Sequence, residues 1–283
     1  MFSYQHRYHA GNFADVHKHL VLVNILEYLQ KKETAFCALD LHAGEGIYDL
    51  QSAASKKTGE HLQGIVPLLT NKNTPRPALI EKYINIVRQA APAPHSYPGS
   101  PAILGAMLRE NDRGLLVEGH PQAFESLSKH FSRHARLHLH DRDSFEALQA
   151  LVPFKEKRGL IFVDPSYEVK NEYAKISQAV LQAYEKFNQG IYAIWYPLLP
   201  AQEQTVLLTH IKRAKCPKVI CMEWIPVAKQ TTGLYGSGMI VINPPWQMRD
   251  QLQQAFAWLN QHVYPHGKLS WNMLSRPVSD IDP

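Results

Sequence analysis

Seven short apolar runs constrain the fold of this chain more than any other feature. They are Phe36–Leu41, Leu115–Glu118, Arg136–His140, Leu160–Asp164, Ile191–Tyr196, Lys218–Trp224 and Met239–Asn243. Most are parted by stretches with helical spacing: Pro101–Arg109, Pro121–Phe131, Asp143–Leu151, Glu172–Phe187 and Pro200–Lys215. A further helical stretch, Ala14 to about Lys32, precedes the first run, with Val16, Leu20, Val23, Leu26 and Leu29 on its apolar face. Strands that alternate with helices are joined by crossovers, so the expected fold is α/β, a mostly parallel and doubly wound sheet. Between the last two runs stand only Gln230–Gly233 and Gly236–Gly238. That end predicts a C-terminal hairpin adding one antiparallel strand.

The alternation breaks once, over residues 47–98, which hold a helical stretch near Ala78–Ala91 and loops bearing Pro75, Pro77, Pro92 and Pro94. The expectation is a main domain of residues 1–46 and 99–283 with 47–98 as a small inserted helical subdomain. The insertion carries six basic residues (Lys56, Lys57, Lys72, Arg76, Lys82, Arg88) against the acids Asp49, Glu60 and Glu81. A solvated helical face accounts for that excess as well as a nucleic-acid contact does. The whole chain is at +5, which is compatible with a polyanionic partner without demanding one. Leu20–Leu26 is too short to cross a bilayer and is interrupted by Asn24, and the first residues lack the order of a secretory signal. Cys37, Cys216 and Cys221 form no C-x-x-C pair. Three such thiols suit a reducing cytoplasm. No heptad seam demands a dimer, so a monomer is expected.

After the first strand comes Asp40-Leu41-His42-Ala43-Gly44-Glu45-Gly46. Glycine at Gly44 lets the backbone approach a ligand at the carboxyl edge of the sheet, and a tight structural turn is the competing explanation. The next strand ends in Glu118, an acid suited to ribose hydroxyls. With residues 47–98 set aside, Gly46 and Glu118 stand 20 positions apart, close to the spacing of ribose-binding α/β units. Asp143, after the third strand, suits an adenine amino group or equally a helix cap, with Ser144 beginning the helix beside it. In Tyr97-Pro98-Gly99-Ser100-Pro101, Ser100 reads as an N-cap and Pro101 as the first helical residue, which brings Ser100 near the amino-acid part of a ligand. The chain has neither G-x-x-x-x-G-K-[ST] nor G-x-G-x-x-G, which favours S-adenosylmethionine over a triphosphate or dinucleotide.

The fourth strand runs into Asp164-Pro165-Ser166-Tyr167. A carboxylate and a turn carbonyl can accept both N–H groups of an exocyclic amine, while an aromatic ring stacks on the base that bears it. Asn243-Pro244-Pro245-Trp246 repeats the pattern more literally, but after the antiparallel strand and so away from the switch point where doubly wound sheets bind ligands. His17 and His19 diverge on a helix, and His138 and His140 lack a third ligand, so no metal is expected.

These pieces resemble class I S-adenosylmethionine-dependent methyltransferases of the [DNS]-P-P-[YFW] amino-methylating group, and among them the RlmJ family. The resemblance spans nearly the whole chain. It is carried by His9-Ala10-Gly11-Asn12, Ala14-Asp15-Val16, Lys18-His19, Asp40-x-His42-Ala43-Gly44-x-Gly46 and Tyr97–Pro101. It continues through Glu118-x-His120-Pro121, Asp164-Pro165-x-Tyr167, Tyr192–Pro197 and Gly238–Trp246. The resemblance implies N6-methylation of an adenine in 23S ribosomal RNA. It implies a cofactor lined by His19, His42, Ser100, Glu118, Asp143 and Ser144, a catalytic Asp164 that also meets the cofactor, and Tyr4 against the target base. Ser166 replaces the usual second proline, and Ser144 stands where members of the family may carry glycine.

On this reading Asp164 and the Pro165 carbonyl orient the amine, Tyr167 stacks on the adenine, and the base is unpaired or flipped. Tyr4, His6, Arg7, Tyr8, His9 and Lys18 bring aromatic and basic groups together as a lid, an ordinary capped helix being the alternative. Two other functions stay open. One is a DNA adenine-N6 methyltransferase, the other a nucleotide-binding, RNA-associated module without catalysis.

Overall fold

The computed structural model describes residues 5–71, 74–169, 171–214, 216–227 and 232–274. In chain order the helices are α1 Phe13–Gln30, α2 Ala53–Thr58, α3 Ile65–Thr70, α4 Ala78–Ala90, α5 Ser100–Met107, α6 Pro121–Phe131, α7 Ser144–Leu151, α8 Glu172–Lys186, α9 Thr205–Arg213 and α10 Met248–His262. The strands are β1 Cys37–Asp40, β2 Ile47–Asp49, β3 Ser96–Pro98, β4 Arg113–Glu118, β5 Leu137–Asp141, β6 Gly159–Val163, β7 Ile191–Leu198, β8 Val219–Ile225, β9 Gly236–Ile242 and β10 Lys268–Met273.

Eight strands form one sheet in the order β10-β8-β9-β7-β6-β1-β4-β5. The pairs of β1 with β4 and β6, of β4 with β5, and of β6 with β7 are parallel. The expected C-terminal hairpin is present: β9 runs antiparallel to both β7 and β8. Within residues 47–98 the β2–β3 pair and the short helices α2 and α3 lie beyond expectation, and at the C-terminal end two more elements do. Helix α10 repeats Met248, Leu252, Ala255, Phe256 and Leu259 on its buried side, and β10 adds a second antiparallel strand beside β8. The half-exposed Lys268–Met273 gives little strand signal because only one of its edges is paired. The turn residues Gln230 and Thr231 lie outside the described residues.

Helix α1 is buried on nearly every side, between the sheet and helices α4, α5 and α10. Asn12 caps it by accepting from Asp15 N at 2.9 Å. Its charged and polar members, Asp15, His17, Lys18 and His19, are therefore forced into partnerships inside the protein. Residues 47–98 begin and end in the β2–β3 pair, in which Tyr48 faces Tyr97. Their helix α4 packs on α1, α5 and α10.

Gly238 on β9 lies against Tyr196 of β7, and a Cβ there would come within 2.2 Å of the ring. The Tyr196 hydroxyl donates to Glu223 Oε1 at 2.9 Å, so the ring cannot swing away without losing that bond. Gly238→Ala should therefore cost about 1–3 kcal/mol by overpacking. Urea denaturation with an unchanged m-value and a lower midpoint would register the loss.

Candidate active site

One cavity of about 330 Å³ opens at the carboxyl edge of the parallel strands, where β1 is flanked by β4 and β6. Its wall includes Lys18 and His19 from α1, His42 and Gly44 after β1, Ser100 at the start of α5, Glu118 after β4, Asp143 and Ser144 at α7, and Asp164 and Pro165 after β6. Elements far apart in sequence meet there because every crossover returns the chain to the same sheet edge.

The glycine turn is tightly held. Gly44 and Gly46 take φ of +61° and +80°, in the left-handed region, and a Cβ on Gly44 would sit 2.4 Å from the Tyr48 hydroxyl. Glu118 Oε2 accepts from Gly44 N at 2.7 Å, and Oε1 accepts from His120 N at 2.7 Å. Burial raises the Glu118 carboxyl above its usual range. Beneath the turn, Asp40 is fully buried and burial pushes it up to about 7, although Ser100 and the His42 N–H both bond it. Its Oδ2 has no hydrogen-bond partner among the described residues.

One helix start differs in detail from expectation. Gly99, not Ser100, is the N-cap of α5; Ser100 opens the helix, with Pro101 in its first turn, and its hydroxyl serves Asp40. Asp143 is a cap as well as a wall residue: its Oδ1 accepts from Phe145 N at 2.9 Å and Glu146 N at 3.0 Å.

At the other end of the cavity a chain of charges runs inward. His6 Nε2 lies 3.0 Å from Asp15 Oδ2, Asp15 Oδ1 lies 3.0 Å from Lys18 Nζ, and Lys18 Nζ donates to Asp164 Oδ2 at 2.7 Å. Burial alone would push the Asp15 carboxyl up, but the His6 ring and Lys18 outweigh it and hold Asp15 well below the carboxylate range. Burial likewise pulls Lys18 down, and the two carboxylates more than reverse it, so the ammonium keeps its proton. Asp164 is raised by burial, with Lys18 opposing. Lys18 thus lines the cavity while spending its donors on protein carboxylates rather than on a ligand.

Tyr167 does not line the cavity. Its ring is buried and stacks on Tyr173 at 4.2 Å, its hydroxyl donates to Trp195 O at 2.6 Å, and its φ is +54°. Tyr4 lies outside the described residues. Asn243 sits at the opposite end of the sheet, its amide donating to Asn188 O at 2.7 Å and Gly190 O at 2.8 Å.

Several wall residues escaped the sequence reading, among them Asp15, Glu45, Tyr48 and Gln122. For Asp15 a signal existed: an acid one turn before Lys18 on an otherwise apolar helix marks a buried ion pair. Glu45 accepts from Arg7 Nε at 2.9 Å and so ties the N-terminal segment over the glycine turn. Among the described residues no three His, Cys, Asp or Glu side chains gather as a metal site, and no helix is long and apolar enough to cross a membrane.

A reversed strand beside β7, a glycine turn after β1, an acid tying that turn from β4 and Asp-Pro-x-Tyr after β6 define a class I methyltransferase, whose cofactor is S-adenosylmethionine. Residues 33–274 match the family model described as Ribosomal RNA large subunit methyltransferase D, RlmJ. The chain belongs to that family. It is 37% identical over 278 residues to Ribosomal RNA large subunit methyltransferase J of Escherichia coli (strain K12), covering 96% of this chain and 99% of that one. The Haemophilus influenzae protein of the same name is 36% identical over 277 residues, covering 96% and 98%. A crystal structure from Legionella pneumophila superposes with a TM-score of 0.86 at 34% identity over 94% of this chain and 98% of that one.

Three imidazoles at or near this site are held neutral by burial, His17 and His19 at about 3 and His42 at about 4. Each is depressed below the roughly 6.5 of an unfolded histidine, so its stabilisation is complete above that pH and is lost as pH falls toward the folded value. His17→Gln should therefore flatten the dependence of Tm on pH between 7.5 and 4.5. Calorimetric scans of the two proteins giving parallel curves would contradict neutral burial of His17.

Proposed function

We propose that this chain methylates N6 of a specific adenine in 23S ribosomal RNA, with S-adenosylmethionine as the methyl donor. The observation that carries this reading is the placement of Asp164. Its carboxylate stands at the tip of β6 in the same cavity wall as the glycine turn and Glu118, with the Pro165 carbonyl beside it.

The site residues fit the cofactor. Glu118, an ionisable acid at the strand end, suits the ribose hydroxyls; Asp143, with Ser144, suits the adenine edge; His19, His42, Gly44 and Ser100 complete the enclosure. The partnerless Asp40 Oδ2 suits an amino-acid ammonium near the turn. When bound, S-adenosylmethionine supplies an electrophilic methyl group on a sulfonium.

The protein's own part is orientation and proton handling. The adenine amine is a weak nucleophile because its lone pair is delocalised into the ring. Asp164 and the Pro165 carbonyl accept its two N–H groups, which draws the nitrogen toward tetrahedral geometry and frees the lone pair to react. Lys18, held between Asp15 and Asp164, fixes the position and charge of the Asp164 carboxylate, which takes the proton as the new bond forms. Tyr167 acts by holding the turn from beneath, and stacking on the base would require its ring to leave Tyr173. The target base is unpaired or flipped, since a stacked base cannot enter a cavity of this depth. Tyr4, assigned to the target base by the family resemblance, is kept in this proposal for that contact. Residues 1–46 and 99–283 form the methyltransferase domain and 47–98 an insertion. The enzyme works as a monomer in the cytoplasm, where its three free thiols remain reduced.

The deciding experiment offers labelled S-adenosylmethionine with protein-free 23S RNA and, separately, duplex DNA, followed by nucleoside analysis. N6-methyladenosine in the RNA alone is expected; label in DNA alone would transfer the assignment to a DNA adenine methyltransferase. Asp164→Asn should lower kcat by about 10²–10⁴-fold, the range of a lost general base. Transfer at the normal rate by that variant would remove Asp164 from the chemistry. Glu118→Ala should weaken cofactor binding by roughly 10- to 100-fold, the loss of charge-assisted hydrogen bonds. Titration calorimetry measures this without any RNA present.

A further inference from the structure

Trp195 on β7 is not in the cavity wall, yet it bears on both ends of the Asp164–Tyr167 turn, on Asp164 through Lys18 and on Tyr167 directly. The ammonium of Lys18 lies over its indole, 4.7 Å from the ring centroid, and the same ammonium donates to Asp164 Oδ2 at 2.7 Å. Its backbone oxygen accepts from the Tyr167 hydroxyl at 2.6 Å. Tyr167 is in a backbone conformation (φ +54°) that an aromatic residue adopts only under constraint, and this hydrogen bond is one of the constraints.

The indole is itself fixed from behind. Its Nε1 donates to Ser237 Oγ at 2.9 Å, and Ser237 Oγ lies 2.8 Å from His17 Nδ1. Ser237 Oγ accepts from the indole and also bonds the His17 ring, so a single hydroxyl ties the indole edge to α1. Ser237 and His17 are fully buried, which removes water as a competing partner. His17 and Lys18 are neighbours on α1, and one reaches the indole through its edge and the other over its face.

We infer that Trp195 is a positioning residue for methyl transfer: its ring face aims Lys18 at Asp164, and its carbonyl pins the far end of the same turn. This rests on the methyltransferase reading above. The Lys18 ammonium donates to Asp164 and lies 3.0 Å from Asp15 Oδ1 as an ion pair. The π face meets another side of the ammonium and favours this position over one turned into the cavity. Replacing the indole with a smaller aliphatic side chain removes the π face and lets the ammonium shift, and the Asp164 carboxylate with it. A shift of that kind spoils orientation without removing any group that binds cofactor or RNA.

The test compares wild type, Trp195→Leu and Trp195→Phe in steady-state methyl transfer to 23S RNA, with cofactor Kd by calorimetry and Tm for each. Trp195→Leu should lose at least about tenfold in kcat, with KM for RNA and cofactor Kd within about threefold, as expected for lost orientation. Trp195→Phe restores an aromatic face for Lys18 and should recover most of that kcat. Equal kcat in all three proteins would overturn the inference, as would a Trp195→Leu deficit matched by the same loss in cofactor affinity. Should Trp195→Leu fail to fold, Ser237→Ala frees the indole edge alone, and an unchanged kcat there would also overturn it. A wild-type protein inactive on RNA would defeat the methyltransferase reading itself, an outcome distinct from all of these.

Discussion

The arrangement of the active site depends on one buried cation. Lys18 sits on a helix that is enclosed nearly all round, and an isolated ammonium there would surrender its proton. Its charge survives because Asp15 stands one turn earlier on the same helix and Asp164 stands at the tip of β6. Removing either acid would leave an uncompensated charge, the costly way to break a buried pair. The same cation therefore couples three things that are remote in sequence: the N-terminal segment through His6 and Asp15, the interior helix α1, and the turn that carries Asp164. A hydrophobic replacement of equal volume would serve stability as well. The ion cluster is instead suited to holding one carboxylate at a set place and charge, which is what the proposed reaction asks of Asp164.

Residues 47–98 leave this site intact because the two ends of the segment are paired to each other. Ile47 faces Pro98, Tyr48 faces Tyr97 and Asp49 faces Ser96, so the chain leaves the main sheet and returns to nearly the same point. Gly99 N then donates to Gly46 O at 2.9 Å, restoring the contact that a direct connection would have made. The paired tyrosines also serve the cavity from both sides. Tyr48 accepts from Glu45 N and bounds the glycine turn, while Tyr97 meets His19 Nδ1 at 2.9 Å and passes the bond on to Tyr83. A segment joined in this way adds support to the cavity wall instead of disturbing it.

The sheet and most of the cavity wall were legible in the sequence for one physical reason. Crossover topology sends the carboxyl ends of the parallel strands to the same edge, so residues that end them, such as Glu118 and Asp164, meet there. What stayed hidden depended on partners rather than periods. The orientation of Tyr167 is set by Tyr173 and by the carbonyl of Trp195, neither of which its own neighbours reveal. Ser100 was misplaced by one position because Pro101 is equally at home as the second residue of a helix, which frees the serine to serve Asp40. Edge strand β10 lacks both a covered face and a second partner, so its sequence has little reason to look like a strand.

The two Asp/Asn-Pro motifs show how little a local pattern fixes on its own. Each follows a strand, and in each the leading residue holds a turn. In the first, Asp164 ends a strand that runs with its neighbours β1 and β7, and its carboxylate meets the cavity. In the second, Asn243 ends β9, which runs against both of its neighbours, so the same chemistry is delivered to the far end of the sheet. There the amide closes onto the carbonyls of Asn188 and Gly190 and becomes a cap for the bottom of β7. Strand direction alone separates the two outcomes. Helix α1 makes the same point at finer scale: His17, Lys18 and His19 are consecutive, yet they meet Ser237, Asp164 and Tyr97 on three different walls. A helix can spend three polar residues in a row that way only when protein surrounds it, and its burial is what turns adjacent letters into separate pieces of one site.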